Sequence, residues 1–215
     1  MAIKTTRKYD STRRKAQARE TRRLITEAAR DLFITRGYAG TTMDAIAQAA
    51  GVATETVYVV FGSKRKILAH ILDVAVGGDD APVQLLDRPE PQAVLHAADQ
   101  RTQIKMFARD IMNILERAAP VMELIRSAAQ IEADIYELRQ NLLRRRLENM
   151  TAFVSHLAGK GNLRQGVDIP AGAELVWTIT SPEVYLLLTR DRNYSNEQYA
   201  AWLESTLTRL LLDGN

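Results

Sequence analysis

The chain has 215 residues, 46% of them hydrophobic and 26% charged, with a formal net charge of +3. That length allows one or two domains with a sizeable core, and the balance is that of an ordinary globular protein. Cysteine is absent, which removes disulfides, thiolate catalysis and cysteine-based metal sites, and no apolar run reaches the length of a bilayer crossing.

Residues 1–16 (MAIKTTRKYDSTRRKA) lack apolar periodicity and read as a basic flexible arm, too polar for a secretory signal. Lys4, Arg7, Lys8, Arg13, Arg14 and Lys15 would suit a phosphate backbone or a minor groove, and would equally suit a solubilising tail. From about residue 18 to residue 36, Ile25, Ala28, Ala29, Leu32 and Phe33 recur at i, i+3, i+4, i+7 and i+8. That spacing predicts a helix with one buried stripe. Gly37 ends it, and Tyr38 is expected to pack back beneath the stripe.

Residues 43–62 read as two short helices about a glycine turn. Thr41 or Thr42 can cap the first, because a threonine hydroxyl satisfies an otherwise orphan backbone N–H. Ile46 and Ala50 supply its inward face, and small Ala47 lets a second helix approach. Gly51 stands where the chain must turn, since glycine takes positive φ without steric cost. Thr54 is then expected to cap the second helix, with Val57 and Val60 inward and Thr54, Glu55, Thr56 and Tyr58 outside. A small residue, a glycine four later and an apolar residue six after that is the spacing of a helix-turn-helix.

Ser63 is placed to cap a further helix whose first turn holds Lys64, Arg65 and Lys66. Cations at a helix N-terminus oppose the macrodipole, so helix stability does not account for them, whereas a nearby phosphate would. The first 70 residues hold 14 Lys and Arg against 6 Asp and Glu, a net +8, and the remainder carries −5. A basic first third on an acidic body fits a nucleic-acid-binding domain joined to one that avoids phosphate.

The stretch TTMDAIAQAAGVATETVYVVFGSKRKIL resembles the DNA-binding signature of the TetR/AcrR family of bacterial transcriptional repressors. The threonine-capped helix, Ala47, Gly51, Val52, Val57, the Tyr58-x-x-Phe61 pair and Ser63-Lys64 carry the resemblance, which spans about residues 18–70. It implies an all-α fold: a three-helix helix-turn-helix DNA-binding domain at 17–70, then a helical ligand-binding and dimerisation domain at 71–215. It further implies a cytoplasmic homodimer that binds a palindromic double-stranded DNA operator and releases it on binding a small, largely apolar or aromatic effector. Thr42, Tyr58 and Lys64 correspond to phosphate-contacting positions, and Thr54, Glu55 and Thr56 to base-reading ones. Val59 and Val60 depart from the aromatic or polar residues often found there; Val59 has no hydrogen-bonding group and could at most touch a thymine methyl, so Thr54, Glu55, Thr56 and Val59 make a thin reading surface.

The body reads as helical throughout. Gly77, Gly78, Asp79, Asp80 and Pro82 mark the end of the linking helix, and residues 87–91 make a second break. A helix is predicted over about 92–118, another starting at Pro120, and a long one over about 132–157. The Arg144-Arg145-Arg146 run within the last, near Glu137 and Glu148, reads as a solvated face with ion pairs. After the glycine-rich connection 159–170, helices are predicted over 171–180 and 182–189, and a final one capped by Ser195. Val184 and Leu188 on one, with Trp202, Leu203, Leu207 and Leu210 on the other, are the expected dimer interface, a four-helix bundle with a twofold copy. Met106, Met112, Asn113, Arg126, Met150, Phe153 and Trp177 are the candidate effector site, as an adaptable sulfur-rich cavity with polar groups to orient a ligand.

No phosphate loop, nucleophile elbow, paired metal ligands or His–carboxylate set occurs, so the chain is not expected to be an enzyme. His70, His96 and His156 are scattered and suggest no metal site, and no cofactor or membrane association is expected.

Overall fold

Glycine and proline punctuation sets the order of the elements. The computed structural model describes residues 11–213, and among these every regular element is helical. Helix α1 is Ser11–Arg36, α2 Met43–Ala50, α3 Thr54–Phe61 and α4 Lys64–Gly77. A short turn at Leu85–Asp87 precedes α5 (Pro89–Leu95), α6 (Gln100–Ala128) and α7 (Ala133–Ala158). Then follow α8 (Ile169–Ile179), α9 (Pro182–Leu186), a π-type turn at Leu187–Asp191, and α10 (Asn196–Leu211). The chain divides into two units, Met1–His70 and Ile71–Asn215, with the division inside α4.

In the first unit α1 begins at Ser11, earlier than apolar periodicity alone predicts. Its first turns carry Arg, Lys, Ala and Gln, which favour helix without needing a buried face. The expected flexible arm is therefore helical from residue 11 to 16, and Lys4, Arg7 and Lys8 lie outside the described residues. Ile25, Ala29 and Phe33 are sealed from solvent, as the stripe predicts, together with Ile46, Ala47, Val57 and Phe61 from α2 and α3. Tyr38 does pack back, its ring 5.6 Å from that of Phe33, after Gly37 turns at φ 71°.

In the second unit the strongest departures from the sequence reading concern α6. The predicted 92–118 helix is interrupted at 96–99, where Asp99 starts α6 by accepting from the Thr102 N–H at 2.9 Å and its hydroxyl at 2.7 Å. Pro120 starts nothing: it lies inside α6. Ala118, Ala119, Val121 and Met122 around it are all buried, and that packing outweighs the roughly 3 kcal/mol a helix-interior proline costs. Helix α4 ends at Gly77, with Gly78 turning at φ 85° just past it, and its last carbonyls are held from the side: Arg117 Nε donates to Ala75 O at 3.1 Å.

The core is built from α6, α7, α8 and α10, with the Phe107 and Phe153 rings stacked at 3.8 Å. Ser195 caps α10 in a reciprocal capping box with Gln198, as its position predicts. Leu203 and Leu207 of the expected dimer face are wholly buried in the chain's own core. That part of the interface assignment is corrected, because α10 turns its 199, 203, 207 and 211 stripe inward. Val184, Leu188, Trp202 and Leu210 keep partial exposure, and Leu187 beside them is exposed. Arg146 also departs from the solvated face expected of it. Its guanidinium turns in over the Trp177 ring and donates to Trp177 O and Thr180 O, each at 3.1 Å, where α8 ends in unpaired carbonyls.

Asp110 of α6 is partly buried, and its pKa is pushed up to about 6, first by desolvation and then by the Glu90 carboxylate, against the pull of Arg117. The folded chain therefore holds this proton more tightly than the unfolded chain, where an aspartate titrates near ~3.9, so stability is lost as pH rises from about 4 to 6. Asp110→Asn is expected to add about 1–2 kcal/mol at pH 8, after discounting for residual exposure, and close to nothing at pH 4. Denaturant titrations at the two pH values would check this. An equal gain at both would refute the ionisation argument.

Candidate nucleic-acid interface

Adjacent threonines prepare the entry to α2 by doing different work. Thr41 is buried, and its hydroxyl donates toward Gly37 O at 2.8 Å and Leu32 O at 3.1 Å, tying the loop to the end of α1. Thr42 is exposed, and its hydroxyl oxygen accepts the Ala45 N–H at 3.1 Å, so of the two it is Thr42 that caps. Capping uses an acceptor lone pair and leaves the O–H proton for an external acceptor. At the other end, Gly51 adopts φ 67° and its N–H reaches the Ala47 and Gln48 carbonyls. This is the left-handed turn its position predicts.

Helix α3 does not start as expected. Ala53 occupies the cap position with no side-chain bond, and Thr54 is the first helical residue, one step too far along to cap. Glu55 in the first turn instead complements the helix dipole. Val57 and Phe61 point inward, which leaves Glu55, Tyr58 and Val59 at i, i+3 and i+4 as the outer face. Tyr58 is 52% exposed and Val59 86%, while Thr54 and Thr56 are only half-exposed at its flanks. The sequence reading expects both threonines fully outside and gives Val59 only a minor part in the reading surface, whereas the structure reverses their order of exposure. Helical phase running from Glu55 through Val59 is the signal that puts Val59 at the centre of this face.

Phe61 anchors this face from behind: the Arg22 guanidinium lies 4.5 Å over its ring and the His70 ring 5.4 Å away. Ser63 caps α4 by accepting from the Lys66 N–H at 3.3 Å. Lys64 corrects the sequence reading most. Its ammonium donates to Tyr38 O at 2.8 Å and Thr41 O at 3.0 Å, and lies 4.1 Å over the Tyr38 ring. The cation at the start of α4 is thus explained inside the unit, by two loop carbonyls, without a phosphate. Thr42, Glu55, Tyr58 and Val59 remain outward, with exposed Lys66 and Gln48 nearby in sequence. Hydroxyls, a carboxylate, an apolar side chain and a net-basic unit together can contact phosphate oxygens and base edges.

Of the residues named for an effector site, the five apolar ones meet in one packed core cluster and the two polar ones stand outside it. Met112, Met150 and Phe153 are packed in the core, with Met106 and Trp177 partly buried against it. Asn113 and Arg126 are exposed, each one helical step past a buried neighbour (Met112 and Ile125), and Arg126 faces Glu183 at 3.8 Å. An open groove of about 880 Å³, lined among others by Arg101, Arg164, Glu204, Thr208 and Arg209, shares none of the seven. Among the described residues no cluster of metal-ligating side chains occurs, and no helix is long and apolar enough to cross a membrane.

Comparison with known proteins points to the same stretch. Residues 25–71 match the model of bacterial regulatory proteins, tetR family. The HTH-type transcriptional regulator TtgR of Pseudomonas putida is 43% identical over 61 residues, 28% of this chain and 29% of TtgR. The chain spans 27–42% of the length of the curated relatives it matches. Two crystal structures extend the likeness to the whole fold. NalD, the secondary repressor of the MexAB-OprM multidrug efflux pump in Pseudomonas aeruginosa, has a TM-score of 0.69 at 18% identity, covering 92% of this chain and 100% of NalD. FadR from Bacillus subtilis, in complex with stearoyl-CoA, has a TM-score of 0.67 at 19% identity, covering 88% of this chain and 97% of FadR.

Proposed function

Because residues 25–71 match the model of bacterial regulatory proteins, tetR family, we propose that this chain is a DNA-binding transcriptional regulator of that family. It acts as a repressor that grips a palindromic operator as a homodimer and lets go when a small, largely apolar effector binds. The observation that carries the reading is the α2–Gly51–α3 geometry, with Glu55, Tyr58 and Val59 aligned outward on a unit whose composition is net basic. Thr42 gives its free O–H and Tyr58 its phenol to phosphate oxygens, while Glu55, with Thr54 and Thr56 at the flanks, addresses base edges. Lys64 holds the loop that presents Thr42.

Self-association uses the partly exposed residues of α9, the π-type turn after it and α10 (Val184, Leu188, Trp202 and Leu210), extended by Leu187. A palindromic operator read in successive major grooves calls for two α3 helices about 34 Å apart, one turn of duplex. The repressor role of NalD and the stearoyl-CoA held by FadR support repression and an apolar effector for this chain. Differential affinity of that effector for two arrangements of the body is what would release DNA.

Selection of bound duplexes from a random library, repeated at several salt concentrations, tests the reading. A palindrome with half-sites about one helical turn apart is the expected product. Binding that stays indifferent to sequence at every salt would show a non-specific DNA binder instead.

A further inference from the structure

Resting on that reading, we propose that Val59 reads the 5-methyl group of a thymine in each operator half-site. Val59 is 86% exposed on an eight-residue helix. Valine is a poor choice there on helical grounds, since its branched Cβ loses rotamer freedom against the preceding turn. Folding does not account for it either, because the residues that hold α3 in place are Val57 and Phe61, which are buried. Isolated exposed apolar residues are ordinary on protein surfaces. Val59, however, sits on the outer face of the helix beside half-exposed Tyr58, in a unit with net charge +8 over residues 1–70. A basic unit selects a polyanion as its partner, and a duplex offers the apolar thymine methyl in the major groove as well as hydrogen-bonding edges.

The neighbouring residues narrow the assignment. Glu55 complements the helix dipole in addition to facing base edges, and Thr54 and Thr56 are half-covered, so Val59 is the presented side chain of α3 that has no role inside the unit. Having neither donor nor acceptor, it contributes by burying methyl against methyl. That contact discriminates thymine from cytosine and from uracil alike.

The test takes the full chain and the consensus duplex recovered by the selection above. Each thymine in one half-site is replaced in turn by uracil, which deletes the methyl and keeps the pairing. One replacement is expected to weaken binding roughly three- to fivefold, the worth of one buried methyl. Val59→Ala should weaken binding to the unmodified duplex by a similar factor and should be insensitive to that same uracil. Because the side chain is exposed and alanine is the better helix former, the variant's melting temperature should not fall. If no thymine responds, or if Val59→Ala keeps the wild-type response to uracil, the methyl contact is refuted while the regulator reading stands. If the selection returns no consensus at all, the failure lies in the regulator reading itself.

Discussion

Lys64→Met should lower the stability of the amino-terminal unit by about 2–4 kcal/mol and leave the salt dependence of DNA binding unchanged. The ammonium makes two charge-assisted bonds to carbonyls, at 2.8 Å to Tyr38 and 3.0 Å to Thr41, in a half-buried setting. Methionine keeps much of the stem's volume, so the loss isolates the bonds and the two stranded carbonyls. Were Lys64 a phosphate contact, its removal would reduce the slope of log affinity against log salt by about 0.9. Here affinity should fall because the loop carrying Thr42 loosens, with the slope preserved. Arginine at this position should not rescue, since a planar fork does not reproduce a compact ammonium seated over the Tyr38 ring. Thermal melts and salt-series binding on the same variants decide the matter, and a slope that drops with little change in melting would return Lys64 to the phosphate backbone.

Phe153→Ala should destabilise the body more, by about 3–5 kcal/mol, as phenylalanine-to-alanine changes in closed cores do. The side chain is 2% exposed and stacked on Phe107 at 3.8 Å, within a cluster that also takes in Met150, Leu203 and Leu207. The cluster around it draws on α6, α7, α8 and α10, so no single helix can slide in to fill the gap. Denaturant midpoints at constant slope would measure it. A loss below about 1 kcal/mol would mean that the site collapses freely, and would favour a loosely packed, adaptable interior around this ring over a closed one.

The two outcomes also mark how far the sequence could be read. Glycine and small-residue punctuation was fully legible: Gly37 and Gly51 take positive φ, Ala47 is buried at the contact of two helices, and Ser195 caps α10. Such residues act through their own backbone or their nearest neighbours, and one sequence contains that information. Long side chains were not legible. Lys64 and Arg146 each reach carbonyls far away in sequence, and only the tertiary arrangement says which carbonyls lack partners. Helical phase was legible in part. An apolar band on α10 was plain, but which of its leucines face the chain's own core and which face outward depends on how the other helices settle, so Leu203 and Leu207 were misplaced. Pro120 misled because proline is read as a boundary, whereas buried alanines and Val121 around it keep the helix whole.

Pro120 has a mechanical consequence. Proline brings no N–H, so the Glu116 carbonyl lacks its rung in the backbone ladder, and the pyrrolidine ring crowds that same carbonyl. A helix as long as Gln100–Ala128 would otherwise behave as a stiff beam along its whole length. With one rung missing, bending is softest between residues 116 and 120, where flexure breaks no further bond. A displacement applied at the Asp99 end is thus expected to reach the Ala128 end attenuated, and α6 works as two rods in series.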